Sequence, residues 1–392
     1  MKLNKYLNNA FNSIVKKKYG NLKLNKNKTL NPIKKYIKLK QYVFKEWTPF
    51  LQEKSDGGFR PLISPPLKDR ILLKALADYC SFILKPYFAK VDEVSYAYQK
   101  GKGPRNALLK LKELFRPGDV ILKIDIQKFF NNINKRIAID LLKSLDPDKY
   151  VMSLIEKSLS PTLSHNKAYD LAIESIRNGI PQGNAISAVI SNLYLLEFDQ
   201  LCIAKNLRLI RYADDMIIIV DNKEMAYEVL NFVEYYLNTE RGLSIHPLLE
   251  EGKTAIFLLP QIPSLTYLGI VFNGFSLLPS IKCQAILSNK IKSIAQDENK
   301  TATDRIKGIK TCIKQWCGYY AFTDAPKSRL KKLSATINHN CKKYLYEQWI
   351  DIDLVKLFYH YKNRQNKKGI SIFNIIPKSY GEEYYWLYAN ES

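Results

Sequence analysis

Arg211-Tyr212-Ala213-Asp214-Asp215-Met216-Ile217-Ile218-Ile219-Val220 sets two adjacent acids between a short aromatic lead-in and an unbroken apolar run. The pattern predicts a hairpin over 207–220, with Ala213-Asp214 near its tip and buried strands on either side. Two like charges at a buried turn repel each other unless a cation holds them. Another acid is placed the same way. Val120 to Ile126 is a nearly continuous apolar run, the mark of a central strand, with Asp125 at its end. If these strands are neighbours, the Asp125 and Asp214 carboxylates converge at one sheet edge. Hard oxygen ligands of this kind suit Mg²⁺. Two such ions activate a 3′-hydroxyl and stabilise a pyrophosphate leaving group, so the pattern points to polynucleotide chemistry. Taken singly, Asp125 reads as a strand-end turn residue and Asp214-Asp215 as an acidic hairpin tip.

The charge balance agrees with a polyanionic partner. Lys and Arg number 61 against 37 Asp and Glu, a net +24 that repels itself in a compact state. Nucleic acid relieves that repulsion through phosphate contacts. The N-terminal stretch is dense in lysine (Lys16, Lys17, Lys18, Lys23, Lys26, Lys28, Lys34, Lys35, Lys38, Lys40), with Tyr19, Tyr36 and Tyr42 interleaved as stacking platforms. A solvated basic arm is the plainer reading. The 6 cysteines form no CxxC pair and the 4 histidines no HExxH motif. No apolar run approaches a membrane span and no signal-peptide core is evident, so a cytoplasmic protein without a membrane partner is expected.

Residues 1–45 read as a basic, mostly helical extension. Asp56-Gly57-Gly58 marks a hairpin turn, and helices are predicted from about Lys68 to Lys85 and from Arg105 to Phe115. Gly179-Ile180-Pro181-Gln182-Gly183 is a loop that opens a helix through about Asp199. Residues 224–237 form an amphipathic helix, and strand-like pieces follow at 254–259 and 266–272. Past about residue 280 the texture turns helical: Ile306, Ile309, Ile313, Trp316 and Tyr320 make one seam, and 327–349 a basic helix. The boundary between an α/β body and a helical region is expected near Leu278–Ile281.

Ile124-Asp125-Ile126 followed by Phe129-Phe130, then Gly-Ile-Pro-Gln-Gly, then Tyr-Ala-Asp-Asp, resemble the ordered catalytic motifs of reverse transcriptases. The likeness is greatest to bacterial enzymes of the group II intron and retron-like lineage. It covers about residues 50–275 and weakens through 350. The resemblance implies an α+β right-hand polymerase with fingers, a ferredoxin-like palm sheet and an α-helical thumb. Fingers and palm fall in 1–275, the thumb in 280–350 and a C-terminal extension in 351–392. It implies Asp125 and Asp214 as principal metal ligands, the Ile126 carbonyl as another, and Asp215 as a supporting acid. The ions are two Mg²⁺, with Mn²⁺ as an alternative. Phe130 falls where the family puts a bulky side chain under the incoming sugar, which selects dNTPs. Lys54 and Arg60 match fingertip cations that grip a triphosphate. Gln182 and Gly183 line the nucleotide pocket, and Gly183 lets backbone approach a substrate. Lys253, followed by Thr254, matches a lysine that protonates or stabilises the pyrophosphate. Tyr267-Leu268-Gly269 is similar to the primer-grip turn. Plainer readings exist for several: a core aromatic for Phe130, an ordinary surface hairpin for Lys54 and Arg60, a plain strand-Gly turn for Tyr267-Leu268-Gly269.

The chain departs from the intron enzymes at Asn131, where Asp is common, and at Asn184-Ala185, where Ser-Pro is usual. No Cys- and His-rich nuclease region follows. Trp316-Cys317-Gly318-Tyr319-Tyr320 resembles the thumb of intron maturases. The balance looks most like a stand-alone reverse transcriptase of the antiphage-defence kind. The resemblance thus implies an RNA-directed DNA polymerase that copies a structured non-coding partner RNA into cDNA for antiviral defence. The alternatives are a retron-like or intron-derived mobile-element enzyme, or a maturase-like RNA-binding factor that does not polymerise. The basic helix with Lys327, Arg329, Lys331, Lys332, Lys342 and Lys343 is expected to track a duplex. The cluster Tyr384, Tyr385, Trp386 and Tyr388 reads as packing of a terminal segment.

Overall fold

The computed structural model describes residues 3–18, 25–53, 58–145, 147–249, 253–259 and 264–368. Lys54, Tyr19, Lys23 and the 384–388 aromatic cluster lie outside them. The chain forms two compact units, one of Met1–Ala107 with Gly118–Phe257, the other of Leu108–Pro117 with Leu258–Glu391. The change of texture near 280 therefore falls inside the second unit.

In the first unit, α1 (Leu3–Lys18) and α2 (Lys26–Lys38) precede the hairpin β1 (Thr48–Glu53) and β2 (Phe59–Ser64) and the long α3 (Leu67–Ile83). Leu3, Leu7, Ala10 and Phe11 are buried, and α1 packs along α3. Leu30, Ile33 and Ile37 form the inner stripe of α2. The N-terminal helices are thus built into the domain by their apolar faces. Tyr42 is buried, and its hydroxyl donates to Asp69 (2.7 Å), which also accepts from Lys45 N (2.9 Å) and Trp47 Nε1 (3.1 Å). This corrects the expectation that Tyr42 is a stacking platform, because the buried carboxylate of α3 claims its hydroxyl. Tyr36 remains exposed.

After α4 (Lys85–Phe88) and α5 (Pro104–Leu114), the chain enters the central strand β3 (Val120–Asp125). A single turn, α6 (Phe129–Asn132), leads to α7 (Lys135–Lys143), α8 (Lys149–Ser158), α9 (Tyr169–Arg177), α10 (Ala185–Tyr194) and α11 (Leu196–Ala204). Then come β4 (Arg208–Tyr212), β5 (Asp215–Val220), α12 (Lys223–Arg241) and β6 (Ala255–Leu258). The sheet order is β4-β5-β3-β6. Strand, helices, two strands, helix, strand in that spatial order is the ferredoxin-like arrangement expected of the palm. All six residues of β5 are buried and β3 exposes only part of Lys123, as strands covered on both faces require. Ala185–Ala204 is apolar enough by composition to cross a membrane. That corrects the expectation that no run reaches this length. The segment breaks at Leu195 into two helices and is mostly buried in the unit.

The second unit holds the sheet β7 (Leu265–Tyr267), β8 (Ile270–Phe272) and β9 (Leu277–Pro279) and the helices α13 (Ile281–Gln296), α14 (Ala302–Tyr320), α15 (Lys327–Leu345) and α16 (Leu354–Lys368). The strand-like piece predicted at 266–272 is divided by the turn expected at Tyr267-Leu268-Gly269 and forms a hairpin. Leu268 and Gly269 take positive φ (49° and 73°), the backbone that a two-residue turn requires. Ile309, Ile313, Trp316 and Tyr320 form the inner face of α14, where the Trp316 ring lies 6.2 Å from Phe358 of α16. Gln365 donates to Gly318 O (2.9 Å) and Lys362 to Thr323 O (2.7 Å). The start of the 351–392 segment is therefore a fourth bundle helix. The cations of α15 named above lie on its exposed face, opposite the buried Leu330, Leu333 and Ile337.

Candidate active site

Asp125 ends β3 and Asp215 begins β5, and the antiparallel register pairs them directly. Tyr212 pairs with Asp215 across β4 and β5, leaving Ala213 and Asp214 as a two-residue loop. Such a loop needs left-handed backbone, and Ala213 supplies it at φ +60° without the ease of glycine. The sheet thus delivers all three acids to one end, as expected from the sequence.

Burial and the charges of neighbouring acids both raise the Asp214 and Asp215 carboxyls. Burial and then the Asp125 charge push the Asp214 carboxyl up to about 6, against the pull of its backbone hydrogen bond, Arg60 and Lys253. Burial pushes Asp215 up to about 7, with Asp125 and Asp214 adding to it and Lys123 and Lys253 opposing. Lys253 Nζ lies 3.3 Å and His246 Nε2 3.4 Å from Asp125 Oδ2. Asp125 N donates to Thr254 Oγ1 (3.4 Å) and its carbonyl accepts from His246 N (2.9 Å). Ile126 is bridged to Ile245 beside it. Acids whose carboxyls are raised by burial first and by one another second, with Lys253 and His246 against Asp125, are a donor set suited to divalent metal. Among the described residues no group of three or more His, Cys, Asp or Glu closes on an ion. Two carboxylates that leave room for substrate phosphate fit Mg²⁺.

The residues expected on the nucleotide side form a second, hydrogen-bonded group. Phe129 is the core ring, 2% exposed, whereas Phe130 is only partly buried. The Gly179–Gly183 loop is clamped on the backbone of Phe130, with Ile180 N donating to Phe130 O (2.8 Å). A methyl on Gly179 would stand 2.3 Å from Phe130 O and from Asn131 C, so only glycine fits. Gln182 Nε2 donates to Asn131 Oδ1 (3.0 Å) and Gln182 O accepts from Ile63 N (2.9 Å). Gly183, at φ +100°, brings its α-carbon against β2, where a Cβ would meet Ile63 O at 2.4 Å. The close approach that the structure shows for Gly183 is to Ile63 of β2. Arg60, on β2, acts on Asp214 through its charge.

Both departures from the family pattern have a physical account. Asn184 caps α10 by accepting from Ile186 N (3.0 Å) and donates to Ser158 O (3.1 Å), so it does the work of a serine cap. Asn131 presents an amide oxygen to Gln182 where an Asp would present a carboxylate oxygen.

Sequence reasoning passed over Arg211. Its guanidinium is fully buried and donates to Asp199 Oδ1 (2.7 Å), Asn192 Oδ1 (3.1 Å), Ser95 Oγ (2.9 Å) and Ala213 O (3.0 Å). The last bond grips the strained residue of the Ala213-Asp214 turn. An arginine next to an aromatic reads as a surface charge. Its one available signal was its place inside an otherwise buried strand. His246 was also passed over.

Residues 52–272 match the family described as reverse transcriptase (RNA-dependent DNA polymerase), and residues 285–359 match the group II intron maturase-specific domain. The chain is similar to the group II intron-encoded protein LtrA of Lactococcus lactis subsp. cremoris, 25% identical over 168 residues, 43% of this chain and 27% of that protein. It is also similar to protein YkfC of Escherichia coli strain K12, 28% identical over 152 residues, 38% of each. A 91 kDa protein in the cob intron of Schizosaccharomyces pombe is 27% identical over 166 residues, 42% of this chain and 20% of that protein. The chain thus spans well under half the length of these curated relatives. Telomerase from Candida albicans, solved with a TWJ fragment of telomeric RNA, aligns at a TM-score of 0.44 and 10% identity over 86% of this chain and 64% of that one. That likeness is too distant to bear on the site. The first family match alone spans more than half of the chain and every motif of the acid cluster, and the chain belongs to the reverse transcriptase family, which places its fold among the right-hand polymerases.

Proposed function

We propose that the chain is an RNA-directed DNA polymerase that extends a primer with dNTPs. The convergence of Asp125 and Asp214 at one end of the buried sheet carries this reading. Asp125, Asp214 and the Ile126 carbonyl would hold Mg²⁺, which would supply Lewis-acid stabilisation of the 3′-oxygen and the pyrophosphate. The chain's own residues do the rest. Arg60 and Lys253 stand beside the acids and meet the negative charge of a triphosphate. Lys253 in addition holds a proton within reach of a leaving pyrophosphate. Lys54 is proposed to join Arg60. Phe130 leaves its ring partly open, where it contacts the sugar and crowds a 2′-hydroxyl. Gln182, fixed by Asn131 and Ile63, orients the nucleotide. In a primer-extension assay on an RNA template, wild type incorporates dNTPs with Mg²⁺ and Asp125→Asn does not. Wild-type synthesis by that variant would sink the reading.

The finer reading is that the template is a structured non-coding RNA partner and that the cDNA serves antiviral defence. The +24 charge supports a polyanionic partner, and the substitutions at Asn131 and Asn184-Ala185 support a role outside intron mobility. Sequencing the nucleic acid that copurifies with the protein is expected to return one structured RNA with complementary DNA. An intron RNA in its place would move the enzyme to the mobile-element reading.

A further inference from the structure

Residues 94–99 form an added edge beside β4. Arg211 N donates to Val94 O (2.7 Å), and Tyr96 N donates to Arg211 O (3.0 Å). Asn192 Nδ2 donates to Ala97 O (2.7 Å), while Gln99 Nε2 (3.2 Å) and Lys102 Nζ (3.0 Å) both donate to Ser95 O. Between these anchors, Tyr98 takes left-handed backbone at φ +58°. A tyrosine in that region is strained and persists only where its surroundings over-determine it, which is common beside functional sites. The strained backbone carries the Tyr98 ring to Phe130, edge to face, with centroids 6.5 Å apart and planes at 87°. Phe129 meets the same ring at 5.6 Å and 68°. Phe130 is thus gripped at its backbone by Gly179-Ile180 and flanked by two aromatic rings, one of them brought from a distant part of the chain.

We infer that Tyr98 is a positioning residue for sugar selectivity: its ring limits the rotation of Phe130 away from the incoming nucleotide. The inference rests on the proposed contact of Phe130 with the sugar. Without the Tyr98 ring, Phe130 can swing into the vacated space and admit a 2′-hydroxyl. Both residues are only partly buried, which fits a site wall better than a core pair.

The test is kcat/KM for dNTP and rNTP incorporation by the full chain on one primed RNA template, with thermal unfolding measured alongside. Phe130→Val is the reference and is expected to relax selectivity most. Tyr98→Ala is expected to lower the dNTP-to-rNTP ratio by about tenfold, through a rise in rNTP use. Tyr98→Phe keeps the edge contact and restores the wild-type ratio. Tyr98→Leu keeps bulk without the aromatic edge and serves if the alanine variant does not fold; it too should lower the ratio. Tyr98→Ala added to Phe130→Val should change the ratio no further, because the ring it restrains is gone. If Phe130→Val relaxes selectivity while Tyr98→Ala and Tyr98→Leu scale dNTP and rNTP use down together, Tyr98 is a packing residue and the inference falls. If Phe130→Val leaves the ratio unchanged, the sugar contact itself falls, and this inference with it.

Discussion

Asp214→Asn is expected to lower Mg²⁺-dependent dNTP incorporation by about 10³-fold or more, the scale for losing a direct cation ligand when outer-shell partners alone cost ~10–100-fold. The same variant should be more thermally stable than wild type at pH 8 without divalent cation. The ordinary carboxyl value is 3.8, and Asp214 is raised to about 6 and Asp215 to about 7 in the fold. Between 3.8 and those values the folded state binds more protons than the unfolded chain, so stability falls as pH rises through that window and stays lowered above it. A neutral amide removes the cost. The stability gain of the variant should vanish below about pH 4, where both states carry protonated acids. Mg²⁺ should raise the melting temperature of wild type more than that of the variant. Wild-type activity should climb from pH 6 to pH 8 as the acids ionise and accept metal. Activity and stability moving in opposite directions would separate a lost ligand from a lost fold. A variant both inactive and less stable at pH 8 would count against the clash of charges described for the site.

Arg211→Met is expected to destabilise the first unit by about 3–5 kcal/mol, because Asp199 is left buried without its partner. For a unit of this size that lowers the melting temperature by about 10 °C. Burial already pushes the Asp199 carboxyl up and Arg211 pulls it back, so the balance is lost with the arginine. Pairing Arg211→Met with Asp199→Leu should recover most of the stability, since an apolar pair of similar volume avoids the desolvation of both charges. The repaired double variant should still polymerise poorly. Ala213 O keeps no guanidinium donor, and the turn that carries Asp214 is released from α10 and α11. Thermal unfolding and kcat measured on the same preparations check both halves. A double variant restored in stability and in kcat would reduce Arg211 to a packing residue.

Much of the palm was legible because its signals are local. Apolar runs ending in Asp125 and beginning after Asp214 define two covered strands, and strands of opposite direction must bring those acids to one edge. Tyr267-Leu268-Gly269 reads as a turn in the sequence, but its two-residue hairpin form rests on a positive φ at Leu268 that a branched apolar residue does not advertise. Glu197 and Asp199 interrupt the membrane-length run at Ala185–Ala204, so its apolar character is spread over a stretch that does not read as one unbroken run. Gly183 also packs in a way that its sequence does not announce. Its neighbour is a carbonyl of β2, far away in sequence, and no local pattern announces such an approach.

The amino-acid order by itself determined the chemistry: which carboxylates lie at strand ends, which glycines punctuate the loop before α10, and the excess of positive charge. These follow from periodicity and residue type, which act over a few positions. Tertiary structure decided the rest. It buried Arg211 beneath the catalytic turn, set Lys253 and His246 on Asp125, and stood Tyr98 against Phe130. Each of these joins residues far apart in the chain, and their burial, strain and mutual charge exist only once the sheet and its covering helices have closed around them.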